Sequence, residues 1–398
     1  MSEPSRSTVI GSALILAGTA IGAGMLALPL VSASTGLIPV MIIFAVTAFF
    51  AVISALYAFE ANVAIKPGCN LYTMASRTLG RIGKVLSAIA PLGLFYALMS
   101  AYFSGGGSLL AQYVQIAVPG ASSQLCVIFF ALIAGAFVYY STRAVDLVNR
   151  IFFTLMIVTF ILALISLAPS VRYESMIHTA KVEYLSVLAA LPVIFTSFGY
   201  HGGIPSIIIY QKKQLKHIPL IFLLATLIPL TVYTFWLMAV MGVLPEGLLL
   251  RISQSSGATA HLISALSSDK DVHTILYLFS DLALLTSVLG VALGLFDYLA
   301  NLLQRADTRI HRLQTALVTF IPPVIIAIMF PDGFVAALGY AAVALAILAI
   351  LLPTAMVYVL RKKPAYENPF RAPGGTILMS TCFVFGCIII LSQFISRL

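Results

Sequence analysis

The chain has 398 residues, 61% of them hydrophobic and only 9% charged, with a formal net charge of +9 and a mean hydropathy of +1.07. A soluble domain carries about 25% charged residues, so a water-exposed surface is excluded. Apolar runs of about 18 residues and more also exclude a β-barrel, whose strands alternate apolar and polar residues.

What remains is an all-α polytopic membrane protein. Eleven spans are predicted at roughly 8–34, 38–61, 85–115, 124–141, 148–168, 184–210, 217–241, 273–303, 312–330, 334–359 and 376–396. The first run is longer than the core of a signal peptide and many spans follow it, so it reads as a span rather than a cleaved leader. With the N-terminus inside, seventeen of the 22 Lys and Arg fall on the inner side. Five fall outside: Arg172, Lys181, Arg251, Lys270 and Arg397. This bias supports the span count and a cytoplasmic N-terminus with the C-terminus outside. The positive charge is therefore a topology signal, and no nucleic-acid partner is expected. Four cysteines without disulfide or metal-ligand spacing read as free thiols, and no metal cluster is expected.

Two connections carry structure of their own. Residues 69–83 predict a short amphipathic stretch on the inner surface. Residues 242–272 form the longest outer loop, and its apolar patch at 261–266 reads equally as a helix dipping toward the membrane and as an ordinary connector.

A spanning helix satisfies its own backbone, so irregular backbone survives only where it lines a cavity. Two segments break this rule near mid-span. Span 1 contains Gly18-Thr19-Ala20-Ile21-Gly22-Ala23-Gly24 followed by Pro29. Span 6 contains Phe195-Thr196-Ser197-Phe198-Gly199-Tyr200-His201-Gly202-Gly203-Ile204-Pro205. They stand five spans apart, so a second five-helix unit enters the membrane inverted, and such paired interruptions point to a transporter's binding site. For span 1 the competing reading is close packing through Gly18 and Gly22. A broken helix offers N–H groups to a carboxylate and C=O groups to an ammonium, which suits a zwitterionic amino acid and needs no ionised side chain.

Candidate substrate-binding residues are Thr19, Gly22, Ala23 and Gly24 in span 1, Tyr96 and Ser100 in span 3, and Phe195, Ser197, Phe198 and Tyr200 in span 6. Phe95, Phe103, Phe195 and Phe198 are candidate walls for an aromatic ring; for any single one of them core filling is the more ordinary explanation. Candidate coupling or gating residues are His201, Asp281, Thr286 and Ser287. Asp281 lies inside span 8, where an ionisable residue is a functional hypothesis by default: it carries a proton, pairs with a cation or orients the pocket, or else is a neutral carboxyl hydrogen-bonded within the bundle. His201 suits a proton relay, or a neutral contact with unwound backbone. Thr286 and Ser287 either ligate Na⁺ or bond back to their helix. Glu60 and Asp297 end spans 2 and 8 and are expected in helix-end salt bridges. No catalytic motif and no phosphate loop appears, so neither an enzyme nor a cofactor is expected.

Three motifs carry a resemblance. The run from Gly18 to Pro29, the run from Pro192 to Ser206 and the run from Asp281 to Tyr298 together resemble the bacterial hydroxy/aromatic amino acid permeases, over nearly the whole chain. The resemblance implies an inner-membrane symporter of the LeuT-type 5+5 inverted-repeat fold. One transmembrane domain, 1–398, would hold repeat one at about 8–168, repeat two at about 184–359 and an extra helix at about 376–396. It implies uptake of aromatic amino acids, tyrosine foremost, coupled to protons. It also implies the substrate carboxylate at Gly22, Ala23 and Gly24, and the second break at Phe195 to Phe198. The Thr286–Ser287 pair resembles the hydroxyl pair of sodium-coupled relatives and keeps Na⁺ open as the coupling ion. Membrane lipids are the other expected partner. Readings held beside this one are a tryptophan-, phenylalanine- or serine-preferring permease, and a sensor that binds an amino acid without moving it.

Overall fold

The computed structural model describes residues 6–118, 120, 122–140, 142–176, 184–211, 215–305, 308–363 and 368–395. Lys181, Lys212, Lys213 and Arg397 lie outside the described residues, as do the side chains of Arg6 and Arg143. Among the described residues the chain is helical throughout. Ten helices are long and apolar enough to cross a membrane, and a bent pair at the start raises the count to eleven.

Span 1 is that pair, α1 (Arg6–Ala20) and α2 (Gly24–Ser32), bent by 58° between Ala20 and Gly24. Span 2 is α3 (Leu37–Ile65) and span 3 is α4 (Leu71–Ala117). At Gly80 the backbone of α4 takes φ 61° and ψ −134°, which a Cβ would disfavour. The preceding turns form the expected amphipathic piece, with Arg77 and Tyr72 exposed and Met74 and Ala75 buried. Spans 4 and 5 are α5 (Ser123–Tyr140) and α6 (Thr142–Leu167), followed by the single turn α7 (Tyr173–Met176).

Span 6 is interrupted: α8 (Tyr184–Ser197) ends, residues 198–200 turn, a 3₁₀ turn covers His201–Gly203, and α9 (Ile204–Tyr210) resumes. Span 7 is α10 (Ile218–Val243). The long loop folds into α11 (Glu246–Ser253) and α12 (Ala258–Ala265), and α12 buries Thr259, Ala260, Leu262 and Ile263. The apolar patch is therefore a helix. Spans 8 and 9 are α13 (Lys270–Leu302) and α14 (Arg309–Met329). Span 10 runs through α15 (Phe334–Ala346), a π turn (Ile347–Leu351) and α16 (Leu352–Arg361), and span 11 is α17 (Thr376–Ile395). The π turn precedes Pro353, whose missing N–H relaxes the ladder there.

Long-range bonds join helix ends in pairs that the span count places on the same face. On one face, Gln211 after α9 donates to Thr8 O and Ser12 Oγ near the start of α1 (3.2 and 2.6 Å), and Arg312 in α14 donates to Val138 O and Tyr139 O at the end of α5. On the other, Asp332 after α14 accepts from Ser256 Oγ and Gly257 N between α11 and α12 (2.6 and 2.8 Å). Each joint links ends that the alternation of eleven spans puts on the same side.

The firmest of these joints is ionic. Glu60, fully buried in α3, takes a bidentate pair from Arg361 at the end of α16, Nε to Oε1 at 2.8 Å and Nη2 to Oε2 at 2.6 Å. Ala372 N donates to the same carboxylate at 2.7 Å, and Asn368 Nδ2 donates to Glu60 O. The helix-end salt bridge expected of Glu60 is present. Asp297, expected to make one too, is exposed, with the Arg312 charge nearby. The cysteines are free, and burial pushes the Cys69 thiol above its ordinary range. Removing one partner of a buried ion pair strands the other charge. Arg361→Ala is thus expected to destabilise the protein by about 3–5 kcal/mol. Glu60→Gln combined with Arg361→Gln should recover part of that loss, read as the melting temperature in detergent.

Candidate functional site

The two interruptions meet in the middle of the bundle. A Cβ placed on Gly24, which opens α2, would lie 3.0 Å from Ser197 Oγ, at the end of α8. A Cβ on Gly22 would run into Ser287 Oγ on α13, and one on Gly18 would come within 3.2 Å of the Phe153 ring on α6. Close packing and interruption, which the sequence left as alternatives for span 1, are both present. The glycines let neighbouring side chains reach the backbone of the break.

Those side chains do reach it. Ala23 N–H donates to Ser287 Oγ at 2.8 Å. The Tyr102 phenol on α4 also reaches Ser287. Tyr233, fully buried on α10, directs its hydroxyl at Ala20 O and at Ser197 O, each at 2.7 Å. Ala20 ends α1 and Ser197 ends α8, so both carbonyls have lost the donor that a continuing helix would supply. One phenol, with a single proton to give, therefore lies within hydrogen-bond reach of the C-terminal ends of both half-helices. Span 7 holds the second break at another point too, because Tyr200 OH lies 2.9 Å from Thr226 Oγ1. Span 10 holds it from the other side, where Thr196 Oγ1 donates to Leu338 O at 3.0 Å.

Rings line this centre. Phe198, Phe44 on α3 and Tyr233 form a mutual edge-to-face group, with centroids 5.5 to 6.4 Å apart. Phe195 is 1% exposed beside it in α8.

Other expected residues are placed elsewhere. Tyr96 OH donates to Val318 O on α14, and Ser100 Oγ bonds back to Tyr96 O. Phe103 packs on Phe130 and Phe320, in spans 4 and 9, while Phe95 packs on Tyr298 in span 8. Thr19 is exposed, and its hydroxyl bonds back to Leu16 O.

The coupling candidates separate in the same way. Thr286 Oγ1 donates to Leu282 O and Ala283 O of its own helix, so of the adjacent hydroxyls only Ser287 touches the break. His201 stacks on Tyr200 with centroids 4.9 Å apart, and its Nε2 is 2.8 Å from Ser54 Oγ on α3. Asp281 lies six residues before Ser287 on α13, about 9 Å along the axis toward the Lys270 end. It accepts from Tyr113 OH at 3.1 Å. Tyr113 packs edge-on against Tyr277, whose hydroxyl reaches Gln112 and Ser264.

Tyr102, Tyr233 and the Phe44 ring are residues of the candidate site that sequence reasoning missed. A tyrosine in an apolar helix has no periodic signature. The available signal was chemical, since a buried phenol needs a partner and the unwound carbonyls need donors. Among the described residues no group of three or more His, Cys, Asp or Glu could hold a metal ion.

Comparison with known proteins matches the sequence to a family. The model of the tryptophan/tyrosine permease family matches residues 5–393. Tyrosine-specific transport system 1 of Haemophilus influenzae is 33% identical over 96% of this chain and 95% of its own length. The tryptophan-specific transport protein of Pseudomonas aeruginosa is 33% identical over 96% and 93%. Glutamine transporter 2 of Aliivibrio fischeri is 33% identical over 97% and 99%. The chain belongs to the tryptophan/tyrosine permease family, and is a multi-pass membrane permease rather than an enzyme.

Proposed function

We propose that the chain imports an aromatic amino acid, tyrosine foremost, by proton symport with alternating access. The observation that carries this reading is the convergence of Ala20 O and Ser197 O on one phenol at the crossing of two interrupted helices. Two helix C-terminal ends aimed at one point make a cation-favouring pole, suited to an α-ammonium. The N–H groups around Gly22, Ala23 and Gly24 make the opposite pole, suited to the α-carboxylate. The edge-to-face group of Phe44, Phe198 and Tyr233 offers an apolar wall to a ring.

The two breaks stand five spans apart, which supports a LeuT-type inverted repeat. Units of about 8–168 and 184–359 would then rock spans 1, 2, 6 and 7 against spans 3, 4, 8 and 9, with α17 outside the repeat. The bias of Lys and Arg supports the bacterial inner membrane with a cytoplasmic N-terminus and a periplasmic C-terminus. Proton coupling is supported by Asp281, a half-buried carboxyl inside span 8 that accepts from the neutral Tyr113. The Ser287 hydroxyl accepts from the Ala23 N–H and keeps a second lone pair, so sodium stays the alternative coupling ion that the uptake experiment decides.

Relatives named for tyrosine, tryptophan and glutamine stand at 33% identity alike, so the preferred side chain has to be read by competition. Uptake of labelled tyrosine into proteoliposomes is expected under an inward proton gradient without sodium, with tryptophan competing better than glutamine. Uptake that appears only on adding sodium reverses the coupling ion. Glutamine as the stronger competitor removes the aromatic preference. Binding without counterflow identifies a sensor.

Two substitutions locate the parts. Gly24→Leu drives a branched side chain into Ser197 and is expected to abolish uptake while the protein still inserts; normal uptake would place the site elsewhere. Asp281→Asn is expected to lose proton-driven accumulation at least about tenfold while exchange persists. Unchanged accumulation would return Asp281 to a structural role.

A further inference from the structure

The backbone groups that the proposed site offers to a substrate are held in this structure by the protein's own hydroxyls. Ala23 N–H, at the carboxylate pole, donates to Ser287 Oγ at 2.8 Å. Ala20 O and Ser197 O, at the ammonium pole, share the Tyr233 proton at 2.7 Å each. An N–H has one hydrogen and makes one strong bond, so a carboxylate on Ala23 N–H replaces Ser287. A phenol has one proton for two carbonyls, and the carbonyl it does not serve faces an oxygen without a hydrogen between them. An ammonium brings three donors, serves both carbonyls, and turns the phenol oxygen into an acceptor.

We propose that Tyr233 and Ser287 are place-holders for the two ends of the amino acid: they satisfy the interrupted backbone whenever the carrier travels without substrate. This rests on the importer reading above and adds to it which residues make the empty return step possible.

The physical need is specific. Net import requires the carrier to reorient twice per cycle, once loaded and once empty. In the loaded passage the amino acid satisfies the broken helix ends. In the empty passage the same N–H and C=O groups stay inside the hydrocarbon layer, where each unsatisfied group is costly. Both place-holders are held from outside the broken helices. Tyr233 is fixed on α10 within the Phe44–Phe198 group, and Ser287 is fixed on α13 beside Tyr102. Each is a hydroxyl, which donates and accepts and carries no charge. It can therefore yield to a charged group and resume its place afterward. Thr286, one residue away, is bonded to its own helix and does not share the task.

The test separates the two passages. Counterflow, which exchanges labelled for unlabelled amino acid across the membrane, uses only loaded steps, whereas net uptake also needs the empty return. In proteoliposomes with labelled tyrosine and tryptophan, Tyr233→Phe and Ser287→Ala are each expected to lower net uptake at least about tenfold more than counterflow, the size of one buried group left unsatisfied. Tyr298→Phe is the control. It removes a phenol-to-carbonyl bond of the same kind, to Ala88 O at 2.6 Å between α13 and α4 and away from the break, and should leave the ratio of the two fluxes unchanged.

A second readout is thermal. Each place-holder variant should melt below the wild type without amino acid, and saturating tyrosine should close most of the gap. A merely structural bond leaves the gap as wide with tyrosine as without. Equal loss of both fluxes in the two variants, with a melting gap that tyrosine does not narrow, overturns the proposal. If Tyr233→Phe fails to reach the membrane, Ser287→Ala alone decides, because it removes only a hydroxyl. A wild type that shows neither flux overturns the importer reading instead, and is thereby told apart from failure of the place-holders.

Discussion

A backbone carbonyl left open inside hydrocarbon has to find a donor, and here two of them find the same one. The Tyr233 hydroxyl reaches Ala20 O at the end of α1 and Ser197 O at the end of α8. A helix that stops in the middle of a membrane exposes several such groups, and water is not there to take them. The bond therefore fixes more than its own geometry. It sets the height at which span 1 stops relative to span 6, and it ties both to span 7. The surrounding contacts follow from that register. Phe198 turns edge-on to the Tyr233 ring, Tyr200 reaches Thr226 one helical stretch earlier on α10, and Gly24 is left against Ser197.

The fold was legible because its signals are local and chemical. Long apolar runs mark spans, and Gly and Pro clusters mark where a span stops obeying its ladder. Both interruptions fall where the Gly22–Gly24 and Gly199–Gly203 glycines predict them. The candidate site was legible in part, and the division has a physical reason. Gly22, Ala23, Gly24, Ser197 and Ser287 were readable because unwound backbone and mid-span hydroxyls stand out against apolar neighbours. Tyr102 and Tyr233 were not, because each matters through a partner 185 or more positions away in the chain, as with Tyr233 and Ala20 at a separation of 213. The aromatic walls show the same limit. Sequence gives the ring in Phe95, Phe103 and Tyr96 but not its rotation, and in the folded chain these side chains pack on spans 8, 4 and 9. Likewise nothing near Glu60 announces Arg361, which arrives from 301 residues along the chain.

Charge is distributed by depth. The Glu60–Arg361 pair, with further donors from Ala372 and Asn368, lies at one set of helix ends, and Asp332 ties the loops at the other. Asp281 stands about 9 Å along its helix from the break. The direct contacts to the break itself come from hydroxyls and rings, and the polar groups they meet are backbone apart from Tyr200 OH and His201 Nε2, which meet the Thr226 and Ser54 hydroxyls. A fixed ion at that depth would carry a desolvation cost through every change of conformation and would need its partner to travel with it. Backbone dipoles at helix ends have already lost their water on folding, so their field costs little more to keep when the neighbouring helices shift. In the proposed cycle this lets a zwitterion, neutral as a whole, arrive and leave without stranding a charge. It also makes recognition of the amino acid's main-chain end independent of its side chain, which leaves selectivity to the few rings around Phe44 and Phe198.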